Sequence, residues 1–140
     1  NYAVMTNASR EGARQAVVVP VSGRYYAAAT HDGCSAVTCS TTTTSTTALC
    51  SSGNPTEADA RRTGQCFALA YLGTKLIDFG GTPPDATNVV PTSFLTGGGT
   101  CTDPVPQCAI KMTINYTFHG IFVLAASGTT LSTTTTMYYE

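Results

Sequence analysis

The sequence predicts an α+β domain in which an N-terminal helix packs on a C-terminal antiparallel sheet, with a second helix and disulfide-stapled loops. Two helical segments come first and the strands follow, an order typical of this fold class. Residues 110–118 alternate strictly between apolar and polar side chains, which indicates a strand with one buried face. The length of 140 residues fits one domain, residues 1–140, with one hydrophobic core.

The first predicted helix covers residues 1–18. One narrow stripe of it consists of small side chains and one methionine at helical spacing: Met5, Ala8, Gly12 and Ala16. Glu11 and Arg14 lie off this stripe, three residues apart, where they can form an ion pair. No capping residue precedes the helix, so we expect residues 1–18 to be the end of a truncated, longer helix. Pro20 is predicted to end it.

The second predicted helix covers residues 54–72. Its start and stop signals are an N-cap, a first-turn proline, a capping-box partner and a C-terminal glycine: Asn54, Pro55, Glu57 and Gly73. Gly64 lies inside this helix, where glycine costs about 1 kcal/mol relative to alanine.

Strands are predicted mainly toward the C-terminus. Residues 110–118 give the clearest strand, and residues 129–139 give a second with weaker alternation. Two such strands predict an antiparallel sheet with one solvated face. Residues 75–79 form a candidate short strand, and residues 80–107 are predicted to be mostly loop, with residues 88–90 adding to the sheet.

The cysteines predict a disulfide framework made in an oxidising, extracytoplasmic compartment. There are six of them: Cys34, Cys39, Cys50, Cys66, Cys101 and Cys108. No C-x-x-C pair is present, which disfavours a metal site. Six cysteines allow 15 pairings. Cys101 and Cys108 bracket a short proline-containing loop and are paired first, whereas the other pairings stay open. Residues 30–53, rich in threonine, are predicted to form a stapled surface excursion.

Charge and hydropathy exclude several functional classes. The net charge is −1, and the seven basic residues form no run. Binding to a phosphate backbone needs clustered Lys and Arg, so no nucleic-acid partner is predicted. No stretch reaches the ~18 apolar residues of a membrane span. The compartment inferred from the cysteines therefore requires an export or anchor segment beyond this chain, removed by processing or by truncation.

The residues able to perform acid–base or metal chemistry form no recognisable pattern. His31 and His119 are the only histidines, and both are predicted to be turn residues. The string Asp78–Gly80 spells a kinase motif, but the chain is too short for that fold. Four aspartates are available for paired-carboxylate chemistry, none in a suggestive setting: Asp59, Asp78, Asp85 and Asp103. The sequence predicts a non-enzymatic protein with no catalytic residues, no metal and no cofactor.

Two segments at opposite ends of the chain carry a resemblance. The segment NASREGARQAVV resembles the junction that follows the membrane segment of TadE-like minor pilins, and INYTF…LSTTTTMYYE resembles the C-terminal strands of the same family. The family belongs to the tight-adherence (Flp, type IVc) pilus system. The match covers both terminal thirds, whereas the cysteine-rich excursion is not part of the family pattern.

The resemblance implies a pilin-like fold and a structural role in priming, assembling or capping a pilus for surface adherence. It implies other pilin subunits and the inner-membrane assembly machinery as partners, an N-terminal membrane helix preceding Asn1, and a location on the periplasmic side of the inner membrane or on the extracellular pilus. The candidate assembly-interface residues are Met5, Ala8, Arg10, Glu11, Gly12 and Arg14. Two alternatives stay open: a secreted adhesin or carbohydrate-binding module that uses the threonine-rich loops, and a small secreted hydrolase.

Overall fold

The computed structural model describes residues 1–42, 49–77, 82–118 and 128–139. It confirms the α+β fold, since two α-helices pack on a three-stranded antiparallel sheet of order β1-β2-β3. The elements are α1 (Tyr2–Ser22), α2 (Glu57–Lys75), β1 (Val89–Leu95), β2 (Cys108–Phe118) and β3 (Thr129–Tyr138). Helix α1 contacts β2 and β3, and α2 contacts chiefly β1.

Helix α1 continues beyond the predicted stop at Pro20, which lies inside the helix. The prediction was wrong because a proline this close to the end removes only one backbone hydrogen bond, while the last turn stays packed. Val19 is fully buried in that turn. The helix ends at Gly23, which adopts the left-handed conformation (φ 62°) and donates its N–H to the Val19 carbonyl over 2.9 Å.

Helix α2 begins and ends later than predicted. Its N-cap is Thr56, whose hydroxyl accepts the Asp59 N–H at 3.3 Å, while the Asp59 carboxylate accepts the Thr56 N–H at 2.7 Å. This reciprocal capping box displaces the predicted one, because Thr56 has the extended backbone that an N-cap needs. Of the predicted start and stop signals, Asn54 and Pro55 therefore lie before the helix. Glu57 is its first residue, and Gly73 lies inside its last turn.

The sheet confirms two of the predicted strands and corrects a third. β2 contains residues 110–118, β3 covers 129–138, and β1 extends the predicted 88–90 addition as far as Leu95. The predicted strand at 75–79 is wrong in its described part: Lys75 ends α2, and residues 76–77 belong to no strand. The capping and the helical periodicity of α2 outweigh the strand preference of the short apolar run in residues 75–79. Residues 78–79 lie outside the described residues.

The core lies between the helices and the inner face of the sheet. The inward side chains of β2 are buried at its centre: Ile110, Met112, Ile114 and Tyr116. Helices α1 and α2 cross at Gly12 and Gly64, close enough that neither position has room for a Cβ. No helix in the described ranges is long and apolar enough to cross a membrane.

Candidate functional site

The six candidate interface residues of α1 divide into a buried set and an accessible set. Met5 and Ala8 are fully inaccessible, and Gly12 is buried against α2. A Cβ built on Gly12 would lie 2.7 Å from the Gly64 carbonyl oxygen and 2.8 Å from the Ala68 Cβ. Met5, Ala8 and Gly12 therefore pack against residues of the same domain, and a role for them at an assembly interface stays a prediction.

Arg10, Glu11 and Arg14 lie on the accessible side of α1. Arg14 Nη2 and Nε donate to the two oxygens of Glu11 at 2.7 and 3.0 Å, which is the predicted i, i+3 pair in bidentate form. The hydrogen bonds from Arg14 lower the pKa of Glu11, against the opposing effect of partial burial, and Gln15 adds a further donor. Because Arg14 is 56 % exposed, this pair adds little stability and remains accessible to a partner.

A polar seam joins α1 to β3. Ser9 is fully buried, and its Oγ lies 2.7 Å from Thr135 Oγ1 while it also donates to the Thr6 carbonyl at 2.9 Å. One turn earlier, Thr6 Oγ1 lies 3.4 Å from Thr133 Oγ1. The N-terminal helix and the C-terminal strand therefore meet side by side in the fold, although these partners are 126 and 127 residues apart in sequence.

An apolar groove continues this seam toward the C-terminal end of α1. It is open and has a volume of about 610 Å³, and the described residues that line it belong to α1 and β3: Arg14, Val17, Val18, Val21, Ser22, Met137 and Tyr138. Val21 is 79 % and Tyr138 54 % exposed. Exposed apolar side chains grouped in one concavity are typical of a protein-interaction surface.

His31 lies in a separate cluster, where it bridges two carboxylates. Its Nε2 lies 2.9 Å from Asp59 Oδ2 and its Nδ1 lies 3.3 Å from Asp32 Oδ2. These two hydrogen bonds, first that to Asp59 and then that to Asp32, raise the pKa of His31. The ring stacks on Tyr25 with centroids 5.8 Å apart. Both ring nitrogens of His31 therefore face carboxylates, one from the loop and one from α2.

Asp59 is the anchor of this cluster and of helix α2. Burial works against its ionisation, but hydrogen bonds from the Ala28 N–H, from the Thr56 N–H and hydroxyl, and from His31 outweigh burial and lower its pKa. The carboxylate is 1 % exposed. Sequence reasoning missed this role, although Thr56-x-x-Asp59 has the spacing of a capping box.

All six cysteines are bonded, as Cys34–Cys50, Cys39–Cys66 and Cys101–Cys108. The last pair is the one predicted from its short loop. The second ties the threonine-rich excursion to α2, and the first closes that excursion on itself. Three disulfides indicate folding in an oxidising, extracytoplasmic compartment.

The other candidate groups are not gathered into one site. Among the described residues, no group of three or more His, Cys, Asp or Glu side chains has the arrangement to hold a metal ion. His119 and Asp78 lie outside the described residues. Asp85 caps the 3₁₀ turn at Ala86–Asn88, and Asp103 lies in the exposed loop between β1 and β2.

No protein family, curated protein or solved structure matches this chain. Its described residues present an accessible ion pair and an apolar groove on one side of α1, next to the seam with β3, and a His31 that contacts two carboxylates beside a stapled loop.

Proposed function

We propose that this chain is a non-enzymatic subunit of an extracytoplasmic assembly, a minor pilin of a tight-adherence pilus that contributes to its assembly, priming or tip. The observation that carries the proposal is the contact between Ser9 and Thr135. It joins the R-E-G-A-R helix to the threonine strand, so the two segments on which the resemblance depends form one structural unit.

The surface chemistry supports an assembling role. Arg10, Glu11 and Arg14 lie on the accessible side of α1, and the apolar groove begins at Arg14. A rim of charge around an apolar centre is the usual composition of a protein–protein interface. From the resemblance, the proposal includes an apolar helix ahead of Asn1 that anchors the protein in the inner membrane, with the globular domain on the periplasmic side.

Deletion of the gene, followed by complementation, tests this function. We expect loss of pili and of surface adherence in the deletion strain, rescue by the wild type, and failure of rescue by Arg10→Glu, which reverses charge on the accessible side of α1. Lys75→Glu is the matched control, because Lys75 is an exposed charge at the end of α2 and not on α1. Normal pili and adherence in the deletion strain would overturn the proposal.

The alternative, a carbohydrate-binding module, would use the stapled loops. A depression of about 450 Å³ lies beside the Cys34–Cys50 bond, and the described residues that line it are small side chains with Val37 and Leu49, none of them aromatic. Sugar sites usually combine aromatic faces with fixed polar groups, so this depression favours the alternative less than the α1 surface favours assembly. Specific hits on a glycan array, lost when Cys34 and Cys50 are replaced together, would reverse that order.

A further inference from the structure

The two edges of the sheet differ in a way that points to a partner. Within the described part of the chain, β1 and β3 are edge strands, each hydrogen-bonded to β2 alone. β1 has seven residues and contains Pro91, whose missing N–H weakens an edge as a template for pairing. β3 has ten residues without proline or charge, and it pairs with β2 over ten consecutive positions without a bulge.

Natural proteins usually protect such an edge with Lys, Pro or a bulge, because an unpaired strand accepts another strand. β3 has none of these devices. On its outward face, threonine hydroxyls of β3 contact threonine hydroxyls of β2. Thr134 Oγ1 lies 3.1 Å from Thr113 Oγ1, and Thr130 Oγ1 lies 2.8 Å from Thr117 Oγ1. A second uncharged, threonine-rich strand offers the same pairs with no like-charge repulsion.

We propose that two copies of this chain pair through the free edges of their β3 strands, antiparallel and related by a two-fold axis, so that two three-stranded sheets become one of six strands. This inference deepens the proposed assembling function by naming its partner, a second copy, and it rests on that function.

The apolar groove lies at the same edge. Met137 points to the inner face of the sheet and Tyr138 to the outer face, yet both line the groove, so the groove reaches around the edge of β3. Val18 and Val21 line it from α1. Pairing at this edge removes these apolar side chains from water and places main-chain hydrogen bonds beside them. In β-augmentation the main-chain hydrogen bonds usually supply affinity and the side-chain contacts supply specificity.

The available area is sufficient for a specific but concentration-dependent dimer. A ten-residue strand is about 33 Å long, and one sheet layer with the near half of a helix layer is about 15 Å deep. The product is about 500 Å² per copy, or about 1,000 Å² in total, at the lower bound for a specific interface. A two-fold contact is the commonest symmetry in homo-oligomers and uses one patch twice.

Sedimentation equilibrium of the disulfide-bonded chain tests the pairing with two matched variants. Thr134 and Val90 lie on the same face and are both opposite Thr113, but Thr134 is on β3 and Val90 on β1. We expect wild-type protein to show a monomer–dimer equilibrium. Thr134→Lys should raise the dissociation constant at least ~10-fold, because it places charge on the pairing edge, whereas Val90→Lys should change it by less than ~2-fold.

A second measurement uses the wild type alone and so does not depend on the folding of a variant. Hydrogen exchange should show that alternate amides of β3 gain protection as protein concentration rises, while those of β1 do not. A chain that stays monomeric up to about 1 mM would overturn the inference, and so would equal effects of the two lysine variants.

The outcomes also separate this inference from the proposed function. A protein that forms the β3 dimer but is dispensable for pili overturns the pilin role and leaves the dimer standing. A protein that is required for pili but stays monomeric, with no concentration-dependent protection in β3, overturns the dimer and leaves the pilin role standing.

Discussion

Gly12 and Gly64 bring the backbones of α1 and α2 into direct contact. A Cβ on Gly12 would lie 2.7 Å from the Gly64 carbonyl oxygen, and a Cβ on Gly64 would lie 2.6 Å from the Gly12 carbonyl oxygen. The helices can approach this closely only because both residues lack a side chain. The cost of a glycine inside α2 is therefore offset by the packing that it allows.

Gly64→Ala is expected to destabilise the protein by about 1–3 kcal/mol, because the clash with backbone exceeds the gain of alanine in helix propensity. Urea denaturation measures the change in the free energy of unfolding. Gly97→Ala serves as the control, since a Cβ there meets nothing within 4 Å. An unchanged or raised stability of Gly64→Ala would contradict the close crossing.

The seam between α1 and β3 makes a prediction about energetic coupling. Ser9→Ala and Thr135→Ala should each destabilise the domain, because each leaves the other hydroxyl without its partner at 2.7 Å. The double-mutant cycle should give a coupling of about 0.5–1.5 kcal/mol. The corresponding cycle for Thr6 and Thr133, whose hydroxyls are 3.4 Å apart, should give less. Absent coupling in both cycles would mean that the seam does not join the chain ends, and equal coupling in the two would contradict the expected dependence on distance.

The cluster at His31 predicts a pH dependence of stability. Since folding raises the pKa of His31 above its ordinary 6.5, its contribution is complete below pH 6.5 and is lost as pH rises through the raised value. Since folding lowers the pKa of Asp59 below its ordinary 3.8, its contribution is complete above pH 3.8 and is lost as pH falls through the lowered value. The contact between His31 and Asp59 should therefore stabilise the fold most between about pH 4 and 6.5.

Thermal melts of the wild type and of His31→Gln check this dependence. The difference in Tm between them should be largest below about pH 6.5 and should shrink as the pH rises through the raised pKa of His31. Asp32→Asn is the matched control, because Asp32 makes the longer contact, 3.3 Å, and should have the smaller effect. A Tm difference that does not change with pH would show that His31 stabilises the loop without its charge.

The disulfides should differ in the stability that they contribute. Cys39–Cys66 spans 27 residues and Cys101–Cys108 spans 7. In the loop-entropy account the longer loop contributes about 1 kcal/mol more. The paired replacement Cys39→Ala with Cys66→Ala should therefore lower the free energy of unfolding more than Cys101→Ala with Cys108→Ala. The reverse order would show that local strain or packing, and not loop closure, sets the contributions.

Much of the fold follows from the periodicity of apolar residues and from the number and spacing of the cysteines. The alternation in residues 110–118 correctly places β2, because a one-sided strand must alternate. The short spacing between Cys101 and Cys108 identifies their bond, since a loop of that length brings its ends together. The even number of cysteines indicates an oxidising compartment, because disulfides form and persist there.

Other features depend on three-dimensional contacts that sequence patterns do not contain. Pro20 predicts a break in α1, but the packing of Val19 keeps its last turn helical. Met5 and Gly12 suggest an assembly stripe, but a stripe that packs on another subunit and one that packs on α2 have the same sequence pattern. Only the position of α2 in the fold distinguishes them. The partnership of His31 with Asp59 joins residues 28 apart and has no local signature.

The proposal that this chain belongs to a pilus assembly is tested most directly by asking whether the chain is found there. Pili and their membrane bases should be sheared, extracted and isolated from cells that express the chain, and its peptides quantified by mass spectrometry. We expect the chain to co-fractionate with pilin at a low ratio, and Arg10→Glu to lower this ratio while Lys75→Glu does not. Absence of the chain from these fractions, with the protein recovered in full as a free periplasmic or secreted species, would contradict it.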